Sequence, residues 1–77
     1  MKLYIWRNVL CDHSCGMIIC IADDVESARI AYRKQWEKDY KMEIFGSYLS
    51  DVYDNDPIVY DLSISCEAIC HYVTGGD

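Results

Sequence analysis

Proline and glycine are scarce in this chain, with one Pro and four Gly among 77 residues, which excludes a low-complexity or collagen-like segment and points to an ordered globular domain. Long apolar runs are missing as well. The run "MIICIA" is far too short to span a bilayer, and "MKLYIWRNVLCDH" lacks the extended apolar core and small-residue cleavage site of a secretion signal. A cytoplasmic protein, with no membrane contact, is therefore expected. Residues 42–77 contain no Lys or Arg at all, and because residues 1–41 nearly balance, the net charge of −6 originates in the C-terminal half. Such a balance disfavours direct nucleic-acid binding through like-charge repulsion.

A chain of this length buries only about 60 % of the surface its unfolded form exposes, so residues 1–77 are expected to form a single domain around one compact core. A deep catalytic cleft is not expected at this size, and no enzymatic activity or cofactor is assigned. "KLYIWRNVL" and "MIICIA" are rich in β-branched, aromatic and aliphatic residues and bracket a short turn-like segment, which reads as a β-hairpin. In the first strand Leu3, Ile5 and Val9 alternate with Tyr4, Trp6, Asn8 and Leu10. The aliphatic side is expected to face the core and the aromatic side to be partly exposed, so that Tyr4 and Trp6 are a candidate homodimer face.

Asp23 with Glu26 three residues on resembles a capping box, and "DVESARIAYRKQWEKDY" has no Gly or Pro to break a helix, which predicts a helix over 24–40. Val25, Ala28, Ala31 or Tyr32, Gln35 or Trp36, and Tyr40 form its apolar stripe, while Arg29, Arg33, Glu37 and Lys38 fall on the solvent side. "KMEIFGSYLSDVYDNDP" is irregular, with room for a helical turn or a short strand and with Ile44, Phe45, Leu49 and Val52 expected to be partly buried. "PIVYDLSISCEAICHYV" supplies β-forming residues, with a last strand over 63–73 and a flexible "TGGD" end. The resulting expectation is an α+β domain in the order β-β-α-β, an antiparallel sheet with one helix packed on one face.

Five cysteines cannot all pair within one chain, so at least one thiol stays free. "CDHSCG" and "CEAICH" bring cysteine and histidine together in the donor types that a structural zinc site uses. In a strand, however, Cys66 and Cys70 lie roughly 13 Å apart and cannot share an ion. Cys11, His13, Cys15 and His71 are the alternative metal set, the expectation being no metal. Cys11 and Cys15 flank a three-residue loop, near enough for a disulfide if the turn places them opposite one another, although a reducing compartment disfavours the bond. A redox or catalytic thiol at either position is a further alternative. Otherwise Asp12, His13, Ser14 and Gly16 supply turn chemistry and the cysteines fill strand positions.

"SYLSDVYDNDPIVYDL" sets Tyr48, Tyr53 and Tyr60 among Asp51, Asp54, Asp56 and Asp61. Tyrosine buries a large rigid ring while keeping a hydrogen-bonding tip, and carboxylates pair with Arg or Lys across an interface. These seven residues are the candidate partner-binding set, directed at a protein with a basic surface.

Beyond these local features, the layout of "MKLYIWRNVL", "GMIICIADDVESAR" and "YVTGGD" resembles small acidic proteins of phages and mobile elements, of the anti-CRISPR type. The resemblance covers most of the chain as layout, and "CDHSC" and "CEAICH" take no part in it. It implies a one-domain inhibitor that binds a CRISPR-type or other nucleic-acid-binding complex without catalysis and occludes its basic surface. It assigns no role to an individual residue.

Overall fold

The computed structural model describes residues 1–12, 14–63 and 67–75. Two long strands, β1 (Lys2–Val9) and β2 (Gly16–Ala22), form the hairpin, and α1 (Val25–Tyr40) follows. A short helix α2 (Ser47–Tyr53) and two further strands, β3 (Ile58–Asp61) and β4 (Ile69–Val73), complete the fold. The class is α+β and the sheet is antiparallel, in the order β3-β1-β2-β4. The β-β-α-β expectation is corrected in two places. Residues 47–53 are a second helix, a further strand β3 precedes the last one on the opposite edge of the sheet, and of the strand expected over 63–73 the residues Ile69–Val73 form β4, with Ser63, Glu67 and Ala68 outside it and 64–66 outside the described residues.

The hairpin's register decides which face is which. Residues directly opposed in an antiparallel pair share a face, and Tyr4 opposes Cys20 and Val59 while Trp6 opposes Ile18. Tyr4, Trp6, Ile18 and Cys20 are all buried in one cluster with Ala28, Tyr32 and Trp36 of α1, which packs on β2 and β4. The aromatic side of β1 is therefore the core side, opposite to expectation, and Tyr4 and Trp6 are no homodimer face. The other face carries the rows Tyr60–Leu3–Ile21–Ile69 and Ile58–Ile5–Ile19–His71, followed by Arg7, Met17 and Val73. No element among the described residues covers it.

The capping residue of α1 is Asp24 rather than Asp23, its carboxylate accepting the Ser27 N–H at 2.7 Å. That hydrogen bond holds the Asp24 carboxyl below its ordinary value. Lys41 in the left-handed conformation ends the helix, its N–H donating to the Glu37 carbonyl. Ala28, Tyr32 and Trp36 form the buried stripe, whereas Tyr40 is exposed. Ile44 and Val52 join the core and Leu49 packs against it, but Phe45 is exposed, with its ring edge-on to Trp36.

A helix of seven residues has little stability of its own, and α2 is held by its neighbours. The Arg29 guanidinium donates to the Val52 carbonyl at 2.7 Å, and the Tyr32 hydroxyl donates to the Tyr48 carbonyl at 2.7 Å. Arg29 is half-buried in this role, not a solvent-side residue. The expected Arg33–Glu37 pair forms at 3.7 Å, and Glu37 also accepts the Ile44 N–H.

The end of β1 is shaped by two residues with positive φ, Asn8 and Leu10, at a register shift between Arg7 and Val9. A left-handed leucine is unfavourable on its own. Leu10 is fixed there because its N–H donates to the Asp51 carboxylate at 2.8 Å and its carbonyl accepts the Gly75 N–H at 2.8 Å. Gly75 is thus tied to the hairpin and is not a loose end. A Cβ on Gly75 would collide with the Ser14 carbonyl, and one on Gly16 with the Val73 carbonyl.

Candidate functional site

The seven candidate residues occupy three different settings. Tyr48 is half-buried, its ring packed against Trp36 and Phe45. Asp51 is half-buried and holds Leu10. Both serve the fold. Tyr60 opposes Leu3 and therefore lies on the open face of the sheet, away from the α1 side. Tyr53, Asp54, Asp56 and Asp61 remain as exposed residues around the α2–β3 connection.

That connection is anchored at Asn55 although most of its side chains face water. The carbonyl of Asn55 accepts the Trp6 indole N–H at 3.0 Å, and the Asn55 side chain donates to the Asp51 carbonyl. The Arg29 guanidinium lies 5.7 Å from the centre of the Tyr53 ring, within cation–π range. From Tyr53 to Asp61 every residue except Pro57 is exposed. Asp54 and Asp56 extend from this segment, and Asp61 ends the edge strand opposite Lys2. Arg29 and Trp6 position this segment, and the sequence reading had no means of linking either of them to it.

The described members of the alternative metal set do not all come together. Cys11 and Cys15 are joined by a disulfide across the hairpin loop, with Cα atoms 4.0 Å apart. With both sulfurs in this bond neither is available as a zinc ligand, so the alternative metal set does not match the geometry, whereas a disulfide is also the oxidised form of a redox-active thiol pair. His71 opposes Ile19, four residues along β2 from Cys15, or about 13 Å at the rise of a strand. Among the described residues no group of three or more His, Cys, Asp or Glu is arranged to hold a metal ion. His13 and Cys66 lie outside the described residues.

Cys20 and Cys70 are directly opposed on β2 and β4, on the core side, with sulfur atoms 2.8 Å apart. The partner thiol and burial push the Cys20 thiol well above its usual range. It is therefore protonated at neutral pH and is a poor nucleophile. A recess beside this pair is lined by Gln35, Asp39, Cys70, His71 and Tyr72, and its carboxylate is already engaged, since the Tyr72 hydroxyl donates to Asp39 at 2.6 Å. Burial and this bond raise the Tyr72 hydroxyl's pKa.

No helix among the described residues is long and apolar enough to cross a membrane. Comparison of the chain with protein-family models, curated proteins and solved structures found no match.

Proposed function

We propose that this chain is a non-enzymatic, acidic protein-binding module that occupies a basic site on a protein partner through the segment 53–61. The observation that carries the reading is the exposure of every residue of that segment except Pro57, on a backbone seated by Trp6 and Arg29. A backbone already held at Asn55 lowers the ordering cost of binding, and Asp54, Asp56 and Asp61 supply negative charge with no Lys or Arg inside the segment. Tyr53 is the aromatic anchor.

The layout resemblance to anti-CRISPR-type proteins makes a CRISPR-type nucleic-acid-binding complex the first partner to test, with occlusion of its basic groove as the mode of action. The experiment is competition between this protein and DNA for such a complex, at rising salt. The reading expects DNA to be displaced, expects the interaction to weaken steeply with salt, and expects the double variant Asp54→Lys, Asp56→Lys to lose affinity while its thermal unfolding is unchanged. Failure to displace DNA, or binding that is insensitive both to salt and to the double variant, overturns it.

A further inference from the structure

We infer that the open face of the sheet is an isologous interface on which a second copy of this chain packs, sheet against sheet. The face shares Ile58 and Tyr60 with segment 53–61, but the inference rests on the apolar side of the sheet and not on the aspartates, and it survives if that reading fails.

In a sheet with one covered face, the other face normally alternates to polar residues. Here it does not. Ile19 on the central strand β2 stands 37 % exposed, and Ile58, Tyr60, Ile69 and Val73 on the edge strands are 40 to 67 % exposed. "MIICIA" has the near-continuous apolar character of a strand that is covered on both sides, yet α1 covers only one side of β2.

Size and charge favour a second copy over other occupants. At usual strand spacing and rise the face is about 19 Å across and about 16 Å along, a footprint of roughly 300 Å² before side-chain relief is counted. That is the size at which an apolar patch on a monomer marks an interaction site. Two such faces in contact bury roughly 600 Å² as flat footprints, and more once side-chain relief and rims are counted, which is the range of a weak, reversible association. None of the outward strand positions carries a carboxylate, and the charged side chain among them is Arg7. A chain of net charge −6 therefore meets its copy on a surface free of its own negative charge. Two sheets of identical twist also match each other in the aligned packing typical of sandwiches, and a two-fold axis closes the assembly at two copies.

Sedimentation equilibrium from about 1 μM to about 1 mM spans the range in which an interface of this size changes occupancy. The expected result is a reversible rise from the mass of one chain to that of two, favoured by added salt because repulsion between the acidic surfaces is screened. This salt dependence has the opposite sign to that of the acidic segment. Ile19→Lys should hold the protein at one chain throughout, whereas Ile30→Lys, at an equally exposed isoleucine on α1, should leave the dimer intact. If Ile19→Lys does not fold by circular dichroism, Tyr60→Lys on the edge strand gives the same test. A single-chain mass at every concentration, or a dimer abolished by Ile30→Lys and retained by Tyr60→Lys, overturns the inference.

Discussion

The helix-covered and open faces of the sheet are built from side chains of one class, with Tyr4, Trp6, Ile18 and Cys20 on the first and Leu3, Ile5, Ile19 and Ile21 on the second. Ile18 is fully buried while its neighbour Ile19 is 37 % exposed. Apolar character in a strand therefore says that a residue belongs against something, and the identity of that something is decided elsewhere. For the covered face it is decided by α1, whose small Ala28 lets the helix approach and whose Tyr32 and Trp36 fill the space over the sheet. The aromatic side of β1 is the one that reaches this layer, and its indole N–H also finds the Asn55 carbonyl.

The largest effect that separates the faces is expected at Trp6. Trp6→Ala removes a buried ring and its hydrogen bond, which costs about 3–5 kcal/mol, much of the stability of a small domain, and should leave the protein largely unfolded in a thermal melt followed by circular dichroism. At adjacent positions, Ile18→Thr should cost about 2 kcal/mol by urea titration. Ile19→Thr, measured in dilute solution, should stay within about 0.5 kcal/mol of the parent. Equal losses at the two positions would break the comparison between the faces.

A smaller contrast lies within the acidic segment. Asp51→Ala removes the acceptor that holds Leu10 in its left-handed conformation and should cost about 1.5 kcal/mol, whereas Asp54→Ala should leave the unfolding midpoint unmoved. The smallest effect concerns pH. The folded-state pKa of Asp24 is depressed by the Ser27 N–H, so its contribution to stability is complete above the unfolded carboxylate value of about 3.9 and fades as pH falls through the lower folded value. Asp24→Ala should lower the melting temperature slightly at neutral pH, and the gap from the parent should close in strong acid.

The hairpin, the long helix and the α+β class were legible because each spreads a periodic signal over many residues. Orientation was not. Leu3, Ile5 and Val9 are as apolar as Tyr4 and Trp6, so alternation alone cannot say which side α1 covers. Helix α2 is too short for a periodic signal and depends on Arg29 and Tyr32, both distant in sequence. The assignment of β3 and β4 to opposite edges of the sheet was hidden because residues 57–73 are β-forming along most of their length and edge placement depends on pairing with β1 and β2. In the candidate site, the exposure of Tyr53, Asp54, Asp56 and Asp61 matched their polarity. Tyr48 and Asp51 departed from it because a ring cluster and a hydrogen bond claimed them, and Tyr60, though exposed, was set on the open face by the strand register. The Cys11–Cys15 bond was geometrically open in the sequence, and the Cys20–Cys70 approach followed only from the register of β2 against β4.

The difference between the two faces is tested most directly by a dilution series of isoleucine methyl NMR spectra. The account predicts that the methyl signals of Ile5, Ile19 and Ile58 move with protein concentration, while those of buried Ile18 and of Ile30, exposed on α1, stay fixed. Methyl signals that are all independent of concentration, or a shift confined to Ile30, would contradict it.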